Sequence, residues 1–211
     1  MILAIDQSLT HTGACRISRD GSKSTILIET TAKMPWFQRM EHILSSLDSL
    51  FLDPTPAEYV IMEGYAFGGS QRGFVLGELG GLIKYHFQKV HGKSVIQIIA
   101  GHHKMYIAND YKGDKLATMK GLAQRFGFVT RDDNIADAVS MALLYRHMLL
   151  EGTEGIETSL YEKLLFEKVR LNIGRSTGEI AKKPKKRKRR SSSRNIKLAA
   201  QGDVPNPFEV L

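Results

Sequence analysis

Three short acidic segments carry the residues best suited to chemistry. They read Ile5-Asp6-Gln7-Ser8-Leu9-Thr10, Val60-Ile61-Met62-Glu63-Gly64-Tyr65 and Asp132-Asp133-Asn134-Ile135-Ala136-Asp137-Ala138. Asp6 and Glu63 each close a strand-like apolar run, and the third segment opens an apolar helix. A carboxylate at the end of a buried strand is costly unless something positive stands beside it. Three such places in one domain point to a divalent cation held by oxygen ligands. Metal sites built of carboxylates serve phosphoryl chemistry.

Each acid also has a plainer reading. Asp6 precedes Ser8, Thr10, Thr12 and Gly13, a strand-turn-strand pattern that leaves it among hydroxyls; it could simply cap that turn. Glu63 follows Tyr59-Val60-Ile61-Met62, at the carboxyl end of a strand, where open α/β sheets place ligands. An edge glutamate facing solvent would read the same way. Asp133 and Asp137 stand four apart, and Asn134 and Asp137 three apart, so either pair shares a helical face. Asp132 or Asp133 also suits an N-cap. Asp137 lies between Ala136 and Ala138 in an apolar stretch, where an uncompensated carboxylate costs on the order of several kcal/mol. It needs a metal, or a salt bridge to Lys or Arg. His102 and His103 are adjacent, so they point to different faces of any regular element and do not read as a joint ligand.

The elements that must position these residues follow from spacing. Met1–Ile5, Thr12–Ile17 and Thr25–Thr31 read as strands, with Asp20-Gly21 as a hairpin turn. Phe37, Met40, Ile43, Leu44, Leu47 and Phe51 form one face of a helix that Asp53-Pro54 ends. Tyr59–Met62 and Val95–Ile99 are further strands. Residues 66–73 form a glycine-bearing loop leading to a long helix over Phe74–Val90, and helices are expected over Gly113–Phe126 and Ile135–Leu150. Strands, a helix, then alternating strand and helix give an α/β order with a meander feeding a partly parallel sheet. Leu160–Val169 suits one more helix. From 174 onward the chain is polar and basic and is expected to be disordered.

Acid on the first strand, acid on the fourth, acid on the last helix is also the plan of the ribonuclease H-like nucleases. The chain resembles the RuvC-type Holliday junction resolvases, especially phage-encoded members, from Met1 to about Leu150. The opening AIDQSLTHTG resembles that family's strand-turn-strand start, and MEGYAFGG with VLGELGGLIKY resembles its fourth strand, loop and long helix. Lys112-Gly113-Asp114-Lys115 resembles its basic loop, and NIADAVSMAL its acidic last helix. The resemblance implies a ribonuclease H-like mixed five-stranded sheet flanked by helices. With it, the expected organisation is a nuclease domain over 1–152, followed, by spacing and composition, by a helical extension over 153–173 and a disordered basic tail over 174–211. The implied activity is Mg²⁺-dependent, structure-selective endodeoxyribonuclease cutting of four-way (Holliday) and related branched DNA, in recombination and repair. Mn²⁺ would substitute for Mg²⁺, with two ions per site, and the enzyme would act as a homodimer. Asp6, Glu63 and Asp137 match three of the four family acids. The fourth position falls on Asn134, and Asp133 is the preferred substitute ligand. Lys115 matches a lysine at the family's active site, where it would steady charge on the scissile phosphate. Rival readings are a ribonuclease H-like nuclease acting on structured RNA and a junction-binding protein without catalysis.

Several residues suit DNA contact. Tyr65 and Phe67, on the loop after Glu63, can stack on an unpaired base, and Arg72, Lys104 and Lys112 can meet phosphates. Of 30 Lys and Arg and 22 Asp and Glu in the chain, ten basic and two acidic residues fall in 182–211. The first 181 residues are therefore neutral, and the net charge of +8 belongs to the tail. Its run KKPKKRKRR, with Lys185, Lys186 and Arg187 at the centre, can bind phosphates without sequence preference, and in a nucleated host would read as a nuclear localisation signal. The final VPNPFEVL is a candidate docking peptide for a protein partner. No apolar run is long enough to span a membrane, and no signal pattern opens the chain. The lone cysteine, Cys15, excludes an intrachain disulfide, and the expected location is the cytoplasm of a bacterial or phage-infected cell.

Overall fold

The structure, a computed structural model, describes residues 1–64, 71–110 and 114–177. The apolar run at the start forms β1 (Ile2–Asp6), buried along its whole length. β2 (His11–Ile17) and β3 (Lys23–Glu29) make a hairpin. At its tip Gly21 takes φ 92°, and the Asp20 carboxylate accepts a hydrogen bond from the Ser22 amide at 3.0 Å. β4 (Tyr59–Glu63) and β5 (Val95–Ile98) complete a sheet of order β3-β2-β1-β4-β5. β1 and β3 run antiparallel to β2, whereas β4 is parallel to β1 and β5 to β4. Six helices accompany the strands among the described residues: α1 (Trp36–Leu52), α2 (Gln71–His91), α3 (Ala100–Ala108), α4 (Lys115–Phe126), α5 (Asp133–Leu150) and α6 (Leu160–Thr177). This is the ribonuclease H-like arrangement expected above. No described helix is long and apolar enough to cross a membrane.

The period of two along a strand sorts side chains to opposite faces. Leu3 and Ile5 of β1 and Val60 and Met62 of β4 pack with Met40, Ile43, Leu47 and Phe51 of α1 and Leu79, Ile83 and Phe87 of α2. Ile2, Ala4, Cys15 and Ile61 pack on the other face with α3, α4, α5 and α6. By the same alternation Asp6 and Glu63 fall on the α5 face. Parallel pairing of Ile5 with Met62 brings the two acids to neighbouring positions.

α5 is the central helix of that face, and Ala136, Ala138, Ser140 and Ala142 are among its buried residues. Small side chains let it lie almost backbone to backbone on the sheet. A Cβ placed on Gly13 of β2 would stand 2.3 Å from the carbonyl oxygen of Asn134, so only glycine fits. The end of α1 is fastened from β2. Arg16 is 2 % exposed, and its guanidinium donates to the carbonyls of Leu50 at 3.1 Å and Phe51 at 2.8 Å, and to that of Thr55. It thus caps carbonyls that the helix leaves unpaired.

One helix and two boundaries depart from the sequence expectation. Apolar spacing marks no helix between β5 and α4, yet α3 forms there. Its buried residues are Gly101, His102, His103, Tyr106 and Ile107, a mixed set that shows no apolar stripe. α2 begins at Gln71, inside the expected loop. α6 runs through Thr177, past residue 174 where the composition turns polar and basic.

Candidate metal centre

Asp6 ends β1 at 9 % exposure, and Glu63 ends β4 half-buried beside it. The turn after Asp6 is closed without it. Thr12 Oγ1 donates to the Ser8 carbonyl, and Ser8 Oγ accepts from the amides of Thr10 and His11 at 3.4 Å. The carboxyl of Asp6 is therefore free to face the other acids. Burial pushes its pKa well above the ordinary value, and the nearby charges of Glu63, Asp137 and Asp133 push it further. A protonated Asp6 can also donate a hydrogen bond to Glu63.

α5 supplies the remaining acids. Asp132 caps the helix, its carboxylate accepting from the Ile135 amide at 2.9 Å, so it is a structural residue. Asp133, in the first turn, pairs with the largely exposed Lys115 at the start of α4. That hydrogen bond lowers the Asp133 pKa and raises that of Lys115. Asp137, one turn on, is raised to about 6, chiefly by burial, with Lys104 and Lys115 pulling the other way and Glu63 and Asp133 adding to the rise. No Lys or Arg stands within ion-pair distance of Asp137 among the described residues. The salt-bridge reading therefore does not account for it. Asn134 meets the sheet through its backbone, over Gly13.

The site also holds a residue that the sequence reading set aside together with its neighbour His102. His103 is completely buried, neither ring nitrogen has a hydrogen-bond partner, and Nδ1 lies 4.0 Å from Asp137 Oδ1. Burial, then the charge of Lys104, lowers its pKa to about 3, so the ring is neutral. Ligand atoms of Glu63, His103 and Asp137 all lie within 4.8 Å of one another. The signal that places His103 is register. Glu63 pairs with Ile98 at the end of β5, and α3 starts at Ala100, so its first turn begins beside Glu63. His102 points elsewhere, its Nε2 3.4 Å from Asn172 Nδ2 on α6.

Asp6, Glu63, Asp133, Asp137, Lys115, Lys104 and His103 are thus gathered at the ends of β1 and β4 against α3, α4 and α5. Burial first, and the repulsion of neighbouring carboxylates second, raise the pKa values of Asp6 and Asp137. A divalent cation relieves that repulsion, and oxygen ligands with an orphaned imidazole nitrogen fit such an ion. Tyr65, Phe67, Lys112, Lys185, Lys186 and Arg187 lie outside the described residues, as does the side chain of Arg72.

No protein-family model matches the sequence, and no curated protein matches it. Solved structures do resemble the fold. T. thermophilus RuvC in complex with a Holliday junction substrate superposes with a TM-score of 0.57 at 19% identity, over 69% of this chain and 91% of that one. A second structure, of Thermus thermophilus RuvC, gives 0.53 at 19% identity over 71% and 93%. At such identity the likeness speaks for the fold alone.

Proposed function

We propose that this protein is a metal-dependent, structure-selective endodeoxyribonuclease that cuts four-way and related branched DNA by paired phosphodiester hydrolysis. The observation that carries the reading is the gathering of Asp6, Glu63, Asp133 and Asp137 with Lys115 on one face of a ribonuclease H-like sheet. A solved protein of this fold, T. thermophilus RuvC, holds a Holliday junction substrate, which supports the choice of DNA.

Asp6, Glu63, Asp133 and Asp137 would hold Mg²⁺ or Mn²⁺, two ions per site, with His103 as a nitrogen donor beside Glu63 and Asp137. Bound there, the ions supply Lewis-acid stabilisation of the phosphate and activation of the attacking water. The chain's own groups do the rest. Asp6, raised well above the ordinary carboxylate range, loses its proton more readily when a positive charge balances it. Lys115 is 73% exposed, so it can swing from Asp133 to a scissile phosphate oxygen and steady charge there. Lys104, within range of Asp137, adds positive potential for the DNA backbone. Tyr65 and Phe67 would stack on bases opened at the junction centre, and Arg72 and Lys112 would meet the flanking phosphates. The domain doing this work is assigned to 1–152, with the basic segment from 174 as a general DNA attractor. A homodimer provides the two active sites that paired cuts need.

A labelled four-way junction with Mg²⁺ tests the proposal beside a flap and a structured RNA. Two symmetric nicks in the junction are expected from the native protein. Asp6→Asn and Asp137→Asn should bind the junction with native affinity and cut at least about 10³-fold more slowly. Native-rate cutting by both variants, or preferential cutting of the RNA, would sink the reading.

A further inference from the structure

A second group of metal-ligating side chains lies on the opposite face of the sheet, where α1 and the end of α2 meet. His86 Nε2 lies 2.8 Å from Asp48 Oδ1 and 2.9 Å from Oδ2, and His91 Nε2 lies 2.7 Å from the same Oδ1. Asp48 belongs to α1, and both histidines to the last two turns of α2. Three ligand atoms from two helices thus converge on one point.

The surroundings are built to hold these rings. Phe51 stacks at 4.5 Å from the His91 ring, and Phe87 stands 5.7 Å from His86 and 5.6 Å from His91. Those phenylalanines are fully buried members of the α1–α2 core, so the imidazoles are pinned against a rigid wall. His91 ends its helix at Gly92, which takes φ 64°, and the Lys93 amide turns back to the Phe87 carbonyl at 3.0 Å. The nearby hydroxyls are otherwise engaged. Ser45 and Ser46 donate to the His42 carbonyl and Ser49 to that of Ser45. The three ligating side chains are 12% to 26% exposed, which leaves one side open to solvent.

We propose that Asp48, His86 and His91 form a zinc site, open to solvent on one side, that staples the end of α2 to α1. Two imidazole nitrogens and one carboxylate oxygen are a zinc ligand set, and water completes the tetrahedron. The present spacing of 2.7–2.9 Å is that of hydrogen bonds. Around zinc, with bonds of about 2.0–2.1 Å, the ligand atoms stand about 3.3 Å apart, so a shift of about half an ångström admits the ion. Two neutral imidazoles and one carboxylate carry a net charge of −1, suited to a dication. Nitrogen ligands select zinc or cobalt over magnesium, whereas the carboxylate centre across the sheet is richer in oxygen. The two centres therefore take different metals, and this site does not depend on the nuclease reading.

The test uses the full chain, stripped with chelator, carrying Asp6→Asn and Asp137→Asn to weaken the other centre. One equivalent of Zn²⁺ should bind in the presence of millimolar Mg²⁺ and raise Tm. Co²⁺ should give visible ligand-field bands of a tetrahedral nitrogen-containing site. Adding His86→Gln or His91→Gln to that background should abolish both signals. If a glutamine variant fails to fold, Asp48→Asn, which keeps an oxygen acceptor for the rings, should fold and bind zinc at least tenfold more weakly. Absence of stoichiometric zinc in the parent background overturns the proposal, and so does undiminished binding in all three variants. The triad is then a metal-free His–Asp–His hydrogen-bonded clasp.

Discussion

Asp137 has a pKa near 6 against an ordinary 3.8, and the difference has a definite sign. Between those values the folded chain holds a proton that the unfolded chain has released. Stability contributed by that proton is lost as pH rises through about 6. His103 works the other way. It stays neutral in the fold down to about pH 3, where the unfolded ring is charged below about 6.5, so it weakens the fold on acidification. The two trends mask each other in the native protein, and a difference measurement separates them. In chelator, Asp137→Asn should exceed the native protein in stability by about 1–3 kcal/mol at pH 8, and the gain should shrink to nothing below about pH 4. Urea unfolding of both proteins from pH 4 to 8 reads it. A gain independent of pH would mean that burial of the Asp137 charge is not its cause. The same residues show what sequence could convey. Asp6, Glu63 and Asp137 stood out because each interrupts an apolar run. Spacing left the choice between Asp133 and Asn134 open, and the structure places Asp133 on Lys115 while Asn134 lies over Gly13 through its backbone. His103 had no signal of its own, since its place depends on which strand β5 pairs with.

At the scale of elements, the site depends on how closely α5 approaches β2. The obstruction a Gly13 side chain would meet is backbone, 2.3 Å from its Cβ, and backbone cannot swing aside like a side chain. Gly13→Ala should therefore cost about 1–3 kcal/mol or more and lift the start of α5 from the sheet. Asp133 and Asp137 would move with it, away from Asp6 and Glu63. Junction cutting should fall further than the unfolded fraction explains, which a comparison of cleavage rate with the circular-dichroism melting curve resolves. A loss of rate equal to the loss of folded protein would detach this interlock from the chemistry. The strands, α1 and α5 were legible because each carries a clear apolar period of two or of three to four. α3 was not, because its buried residues include Gly101, His102 and His103, which no hydrophobic pattern marks. α2 was recognised but begins at Gln71, where glycines and polar residues around its first turn read as loop.

For the whole molecule, the proposed function divides DNA binding between a neutral body and a basic end. Lys185→Gln, Lys186→Gln and Arg187→Gln together remove three of the tail's cations. The slope of log affinity against log salt for duplex DNA should become shallower by about 2–3, since each neutralised phosphate contributes about 0.9. The cleavage rate at saturating protein should not change. Fluorescence anisotropy across a salt series gives the slope, and an unaltered slope would place the electrostatic contact in the body instead. The two packed faces of the sheet carry a further consequence, in the order of synthesis. The buried residues of the α1–α2 face all precede His91, so most of it can close as soon as β1 to β4 and those helices have emerged. The other face waits for α3 to α6, which begin at Ala100 and end at Thr177. At about 5–20 residues per second, Ile2, Ala4, Cys15, Ile17 and Ile61 stay uncovered on the ribosome for several seconds. During that interval the nascent chain offers a sticky half-sheet to chaperones, and the acids that most need a cation are still parted from α5.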